Sequence, residues 1–468
     1  VYIMWIVATA IPAKGFTAFL LPDITSVVYY ATPENGWREQ LLPHIPQWIM
    51  PFREFADVQD FYEGAPLGQA IPWGRWIPSL IYWLSFITAV YLAMISITVI
   101  LRRQWVERER LVYPLVQLPI SMIHNNDGRP SIVSPLFKSP VMWIGFAVPA
   151  ILQTLTGLHH YYPSIPAFSL YGLSVPLFRD SVHVPLNLSF QMLGFSYFIS
   201  REIAFGLCFF YLLNTIEQGV LNVLGVQEFD SLLAGYSAYT GPIVVHQGFG
   251  AIIMLVLFGL WMARSHLRQV FKKAFLPSAA VKHIDDSDEI LSYRAAVLLL
   301  LGSLLFVGVW LWQSGLPGWI TPIYLFFAFV LFIGITRVVA EGGLAFIFPP
   351  MIASDFVTAG FGTRALGDTG IIAFAFTYIW ASDILTFVMA SSANALKLAT
   401  ETIRKGVRLV FWAMLVSIVV TLCSSVWAII EVSYHYGGIN ADVFFLGSAQ
   451  MPFNVAAARL GSIEGPHW

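Results

Sequence analysis

A run of 25 residues without a charged side chain, Ile77–Leu101, constrains the fold of this chain more than any other feature of its sequence. A helix of about 20 apolar residues crosses the hydrocarbon core of a bilayer, so this run is long enough to span one. Arg102 and Arg103 follow directly, which is typical of a helix that leaves the membrane on the cytoplasmic side. The chain is therefore predicted to be an integral membrane protein.

The composition of the 468-residue chain agrees with that class, because 57% of its residues are hydrophobic and only 11% are charged. Soluble domains carry about 25% charged residues. The 16 tryptophans fit belts of aromatic side chains at the two membrane–water boundaries. A formal net charge of −2 gives no sign of nucleic-acid binding, so no nucleic-acid partner is predicted.

Further apolar runs extend the prediction to an all-α, polytopic transmembrane bundle of about nine to eleven membrane segments, some discontinuous or re-entrant. The chain starts inside an apolar run, so residues 1–11 are interpreted as part of a helix that begins upstream. The predicted regions that follow are an extracytoplasmic loop region at 12–76, a first bundle at 77–263, a cytoplasmic loop at 264–294, a second bundle at 295–433 and an extracytoplasmic tail at 434–468.

Lys and Arg are unevenly distributed between the loops, and this distribution sets the predicted orientation. Loops 102–139, 264–294 and 397–408 hold 16 of these residues, whereas 12–76, 159–185, 314–319 and 434–468 hold 6. Loops rich in Lys and Arg remain in the cytoplasm, so the first set is predicted to be cytoplasmic. The predicted location is the cell inner (cytoplasmic) membrane.

Two segments, 186–245 and Gly342–Gly370, do not fit a simple alternation of spans. Segment 186–245 must turn back within the membrane or cross it a second time, whereas Gly342–Gly370 must cross outward despite its two prolines. Both segments contain ionisable residues. Irregular backbone at membrane depth is tolerated only against protein or a water-filled cavity. A pair of such interrupted segments indicates the binding site of a transporter.

The stretch T-R-V-V-A-E-G-G, residues 336–343, supplies the first candidate site. Arg337 and Glu341 lie one helical turn apart and can pair, and the two glycines predict that the helix ends there. One interpretation is a charge pair at the end of a half-helix, which binds an anionic or zwitterionic group or carries a proton. The other is a solvated pair at the cytoplasmic interface.

Three further residues complete the candidate set for substrate binding or ion coupling. Asp383 lies near the middle of the predicted span Ile371–Ser392, where a charge disfavours insertion by about 2.5–3.5 kcal/mol. It therefore faces a cavity or makes an interhelical hydrogen bond, and Asn394 can share its face three turns later. Asp355 follows a Pro-Pro pair and lies either in a broken helix or in a loop that leaves the membrane.

The sequence contains no P-loop, G-x-S-x-G, H-E-x-x-H, C-x-x-C-H or EF-hand pattern. These patterns mark ATPases, α/β-hydrolases, zinc proteases, c-type haem proteins and calcium-binding loops. Their absence from the sequence argues against those classes. We accordingly predict no catalytic residue, no metal site and no cofactor.

The sequence W-V-E-R-E-R-L-V-Y-P-L-V-Q-L-P at 105–119, with T-R-V-V-A-E-G-G, resembles an uncharacterised group of bacterial and archaeal multi-pass membrane proteins. That group is distantly similar to the oligopeptide transporter superfamily, and the resemblance covers most of the chain. It implies a proton-coupled secondary transporter of peptides or metal chelates, built from repeated helical halves. The Asn-Pro-Gly signature of true oligopeptide transporters is absent, so no site residue is carried over from them.

The leading prediction is secondary transport of small peptides or related polar solutes by alternating access, with protonation of Glu341 or Asp383 as the coupling step. The alternative is a non-catalytic membrane subunit that scaffolds a larger complex. A third hypothesis is an intramembrane enzyme acting on a lipid-linked substrate. Predicted partners are the lipid bilayer and a small-molecule solute, with a homo-oligomer or other membrane subunits left open.

Overall fold

The structure is a computed structural model, and nearly all of the secondary structure that it describes is helical. The described residues are 2–9, 11, 15–123, 135–166, 172–226, 241–277, 281, 284–344, 347–382, 387–403, 406–441, 443–462 and 465–466. A two-stranded antiparallel sheet, β1 (Leu173–Leu177) with β2 (Val182–Leu186), is the only sheet among them.

Seven helices of the described residues are long and apolar enough to cross a membrane. They are α5 (Trp73–Arg103), α8 (Pro140–Tyr161), α10 (Arg201–Leu224), α11 (Pro242–Met262), α13 (Tyr293–Gln313), α14 (Ile320–Gly342) and α18 (Arg408–Tyr436). A helix suits the bilayer because it satisfies its backbone N–H and C=O groups within one segment. The predicted all-α polytopic class is confirmed.

The other helices are shorter or bent. They are α1 (Tyr2–Ala8), α2 (Phe16–Tyr29), α3 (Trp37–Gln40), α4 (Phe55–Glu63), α6 (Pro114–Ile123), α7 (Pro135–Lys138), α9 (Phe190–Ser196), α12 (Arg264–Phe275), α15 (Ala353–Phe361), α16 (Thr363–Ala381), α17 (Met389–Thr402), α19 (Gly438–Ala441) and α20 (Gly447–Gly461), with 3₁₀ turns at Leu42–His44 and Val443–Phe445. Several of them lie in regions that the sequence predicted to be loops or tail.

The chain forms two compact units. The first consists of Val1–Arg110, Phe229–Arg337 and Ile347–Trp468, and the second of Leu111–Glu228 and Val338–Phe346. The first unit takes helices from both predicted bundles. The second contains α6 to α10 and the β-hairpin, and its helix α8 has no buried residue.

Aromatic side chains dominate the core of the first unit. The ring of Phe86, in α5, lies 4.2 Å from that of Trp310 and 5.2 Å from that of Trp380, measured between centroids. Tyr324, in α14, lies 5.2 Å from Phe374, in α16. All five side chains are buried. Rings of this size bury a large apolar area, so they hold α5, α13, α14 and α16 together.

The predicted span Ile371–Ser392 is not one helix. Helix α16 ends at Ala381 and α17 begins only at Met389. Helix α16 is also irregular near its start, because it bends at Gly367, whose φ of +67° favours glycine. The sequence also predicts that a helix ends at the two glycines of T-R-V-V-A-E-G-G. This is confirmed, because α14 ends at Gly342 and Gly343 has a φ of +64°.

Candidate functional site

Asp355, Arg459 and Tyr378 form a buried triad in the first unit. Oδ1 of Asp355 accepts a hydrogen bond from Nη2 of Arg459 at 2.7 Å and another from the Tyr378 hydroxyl at 3.2 Å. Asp355 is 0% exposed, and the other two side chains are buried as well. A buried charge is tolerated only when it is paired and hydrogen-bonded, which is the arrangement found here.

The sequence places the triad at the ends and breaks of short helices. Asp355 lies in the first turn of α15, where the free N–H groups favour a carboxylate, and Arg459 lies in the last turn of α20, which favours a cation. Gly362, at φ +77°, ends α15 and lets α16 begin at once in a new direction. Tyr378 lies on α16 beyond its bend.

Of the two interpretations of Asp355, the structure agrees with the broken helix. Its partner Arg459 was missed, because the sequence places it in the extracytoplasmic tail 434–468. One sequence feature could have identified Arg459: it is the only Lys or Arg between residues 434 and 468. The role of Asp355 in substrate binding remains a prediction.

Asn394 is also buried, and it lies in the second turn of α17, after the break between α16 and α17. Its amide nitrogen donates to the Ala390 carbonyl at 3.1 Å, whereas its Oδ1 has no hydrogen-bond partner among the described residues. The hydroxyls of Ser382 and Ser392 lack a partner in the same part of the structure. Asp383 lies outside the described residues. Buried polar atoms without partners mark positions where water, an ion or a ligand can bind.

Arg337 has an acidic partner that its spacing from Glu341 does not reveal. Nη1 of Arg337 lies 2.7 Å from Oε2 of Glu109, and the other oxygen of Glu109 accepts from Gln104 at 2.8 Å. Arg337 is thus anchored to the segment that follows α5. Glu341 belongs to the second unit, where it is half-buried in the last turn of α14. Its role in proton coupling stays a prediction.

A second ion network lies at the end of α5, around Arg102. The guanidinium donates to both oxygens of Glu289, at 2.6 and 2.9 Å, and to Glu107 at 2.9 Å. The Tyr293 hydroxyl donates to Glu289 at 3.1 Å. A π-helical turn, Gln104–Arg108, continues α5 and presents Glu107 to this network. Two acidic residues at the start of the 105–119 motif, Glu107 and Glu109, therefore form ion pairs within the protein.

Asp23 is a buried carboxyl that the sequence analysis did not single out. It follows Pro22 in α2, which at 14 residues is too short to cross a bilayer of about 30 Å. Asp23 is 1% exposed, and neither carboxyl oxygen has a hydrogen-bond partner among the described residues. The nearby Tyr62 hydroxyl instead bonds to Pro22 O and Thr25, at 3.1 Å each. Burial consequently raises the pKa of Asp23 well above its usual range.

Asp23→Asn is expected to stabilise the protein increasingly as the pH rises. The folded-state pKa of Asp23 is raised, so the unfolded chain loses this proton first, and stability falls between about pH 4 and the raised value. The slope is about 1.4 kcal/mol per pH unit within that window. Thermal unfolding in detergent at about pH 5 and about pH 8 measures it. Asp368→Asn, at an exposed position, is the control. Equal destabilisation by Asp23→Asn at both pH values would mean that Asp23 is ionised and paired.

A cavity of about 700 Å³ lies between α5, α11, α13 and α14 of the first unit. Its lining is almost entirely apolar, with side chains such as Leu304, Trp312 and Phe329. It therefore suits apolar groups better than a polar solute. Among the described residues, no cluster of His, Cys, Asp and Glu has the arrangement of a metal site.

One comparison with known proteins gives a match. A family model described as "Family of unknown function (DUF6785)" matches residues 1–466, and the chain belongs to this family. No curated protein and no solved structure matches the chain. The comparisons therefore do not link the chain to the oligopeptide transporter superfamily.

Proposed function

We propose that this member of the DUF6785 family is a secondary transporter of small polar solutes, and that the solute path passes the triad of Asp355, Arg459 and Tyr378. One observation supports this most. Asp355, buried and paired with Arg459, lies in the first turn of the short helix α15, and the unpartnered polar atoms of Ser382, Ser392 and Asn394 lie near the break between α16 and α17. Discontinuous helices of this kind form the substrate and ion sites of transporters.

The triad can bind a zwitterion by exchanging partners. In the described conformation Asp355 and Arg459 neutralise each other. A peptide offers a carboxylate to the guanidinium and an ammonium group to the carboxylate, so each buried charge remains paired while the two separate. Peptides are therefore the substrate class that we propose first. This site replaces Arg337 and Glu341 as the proposed centre of the path.

Proteoliposomes test this proposal directly. Wild-type protein is challenged with a panel of dipeptides and tripeptides, and transport is followed as charge movement or as the signal of a pH-sensitive dye inside the vesicles. Asp355→Asn is expected to lower the peptide-dependent rate by about tenfold or more, because a hydrogen bond to a charged group contributes about 1.5–3 kcal/mol. Asp368→Asn, at an exposed position, serves as the control and should match the wild type.

Two results would contradict the proposal. If Asp355→Asn transports as fast as the wild type, the path does not pass the triad. If no peptide moves charge or protons, the same vesicles are challenged with amino acids and with solutes of a single charge. A response to these alone retains transport and rejects peptides, whereas no response to any of them rejects transport of polar solutes.

The second candidate function is a membrane subunit that scaffolds a larger complex. The apolar helices α8 and α10 favour it, because α8 has no buried residue and α10 buries only Thr215 and Gly219 in the described chain. Their faces are open to lipid or to another membrane protein. Purification from the native membrane in a mild detergent discriminates the two functions, since a scaffold would carry other subunits in fixed stoichiometry.

A further inference from the structure

Helix α12 has two faces of opposite character. His266, Val270 and Ala274 follow one another at intervals of four residues and are buried in the first unit. Nε2 of His266 lies 2.8 Å from the Ile100 carbonyl, and burial lowers the pKa of His266. The imidazole is therefore neutral at pH 7 and donates to this carbonyl. These contacts fix the rotation of α12, and so they determine which residues face outward.

The outward face of α12 combines cations with aromatic rings. Arg264, Arg268 and Lys272 follow at intervals of four residues and are exposed. Phe271 and Phe275 lie between them on the same face, 45% and 61% exposed, with nearly parallel rings whose centroids are 6.5 Å apart. We call these five residues the α12 basic face.

The α12 basic face has no anionic counterpart within its own helix, because α12 contains no Asp or Glu. Lys273 does not belong to this face, since its ammonium group bonds to the Ile284 carbonyl at 2.5 Å and lies 3.5 Å from Asp286. Arg264 donates to the Trp261 carbonyl at 3.0 Å, but none of the three outward cations forms an ion pair with a described residue. Their charges can therefore meet an external anion.

The position of α12 along the chain identifies the surface that it meets. It follows α11, a candidate membrane span, with only Ala263 between them. At the end of α11, Trp261 is largely exposed, and the Arg264 guanidinium lies 4.8 Å from the centre of its ring. Tryptophan is typical of the headgroup level of a bilayer. Arg and Lys lay their aliphatic stems along apolar surface while their charged heads stay in water, and they are enriched next to the cytoplasmic ends of membrane spans. Exposed cations beside exposed aromatic rings therefore suit the membrane interface.

We propose that the α12 basic face binds anionic phospholipid headgroups, with Phe271 and Phe275 inserted among the upper acyl chains. The three cations are complementary to phosphate-bearing lipids of net negative charge, and each one near an anionic surface strengthens association by about fivefold. Interactions of this kind weaken as salt increases. The proposal is independent of the transported solute.

Lipid retention tests the proposal. Wild-type protein is equilibrated in mixed micelles of phosphatidylglycerol and phosphatidylcholine, purified again, and analysed for retained lipid by mass spectrometry. The triple variant Arg264→Gln/Arg268→Gln/Lys272→Gln is expected to lower the ratio of retained phosphatidylglycerol to phosphatidylcholine by about tenfold or more. The control variant Arg201→Gln/Arg364→Gln/Arg408→Gln removes three exposed cations elsewhere and should retain the wild-type ratio.

Phe271→Ala/Phe275→Ala should lower the retention of both lipids, and high salt should lower that of phosphatidylglycerol alone. An unchanged lipid ratio in the triple variant, or an equal loss in the control variant, would overturn the proposal. A triple variant that changes the oligomeric state on size-exclusion chromatography but leaves the lipid ratio unchanged would identify this face as a protein interface. Each single Gln variant should lower the ratio of retained phosphatidylglycerol to phosphatidylcholine by about fivefold. These single variants therefore test the proposal if the triple variant folds poorly.

Discussion

Replacing Arg459 with methionine is expected to lower the free energy of unfolding by about 3–5 kcal/mol, because it leaves the Asp355 carboxylate buried without its cation. The Tyr378 hydroxyl can still donate to Asp355, but it supplies no charge. The loss is measured as a fall in the midpoint of chemical or thermal unfolding in detergent. Arg364→Met, at an exposed position, serves as the control and should change stability by less than about 0.5 kcal/mol.

The double variant Asp355→Leu/Arg459→Met separates the cost of an unpaired charge from the loss of a contact. Replacing both members of a buried ion pair with apolar groups is often neutral or stabilising. We therefore expect the double variant to recover most of the stability that Arg459→Met loses, and to lose transport. A double variant as unstable as the sum of the two single variants would mean that the pair itself, and not the orphaned charge, sets the stability.

Glu289→Gln is expected to have the second large effect, again about 3–5 kcal/mol, because it removes the buried carboxylate from the Arg102 guanidinium. Glu107 provides a matched control within the same network. Both carboxylates accept from Arg102 at close distances, but Glu289 is 0% exposed and Glu107 is 47% exposed. An exposed ion pair contributes about 0.2–1 kcal/mol, so Glu107→Gln should have a small effect.

A double-mutant cycle with Arg102→Met measures how strongly each carboxylate is coupled to the guanidinium. We expect the coupling free energy with Glu289 to be several times that with Glu107. Equal coupling would show that water reaches both pairs, which contradicts the burial of Glu289. The measured quantity in each case is the unfolding midpoint in the same detergent.

The sequence predicts the long helices well, since an uncharged run such as Ile77–Leu101 has few alternatives in a chain of this composition. It also predicts the end of α14 from Gly342 and Gly343, and Gly343 adopts the positive φ that only glycine accommodates easily. These features are local, and their physical causes lie within a few consecutive residues.

Long-range packing accounts for what the sequence did not predict. Helix α20 contains many small residues and no long apolar run, so its burial, and that of Arg459, depends on α2 and α16 packing against it. Helix α2 is too short for a span and carries Pro22 and Asp23, and it lies within the region 12–76 that the sequence predicts to be a loop. Such helices are stabilised by tertiary contacts and leave only a weak periodic signal.

Arg337 shows why spacing along one helix does not identify every partner of a charge. A separation of four residues permits pairing along a helix, but a partner from another segment can compete for the same charge. Glu109, in the segment after α5, lies 2.7 Å from Arg337. The sequence does not reveal this carboxylate, because Glu109 lies far from Arg337 along the chain. Pairing of Arg337 with Glu341 stays a prediction.

Accessibility of a cysteine beside Asp355 tests the central claim most directly, namely that a solute path passes the triad. Thr358 lies one turn after Asp355 and is buried, so Thr358→Cys is introduced after the exposed Cys208 and Cys423 are replaced with serine. We predict that a membrane-impermeant maleimide labels this cysteine in folded protein in proteoliposomes, and that a transported peptide changes the labelling rate. Labelling only after denaturation, from whichever side the reagent is added, would contradict the account and leave the triad as a sealed structural pair.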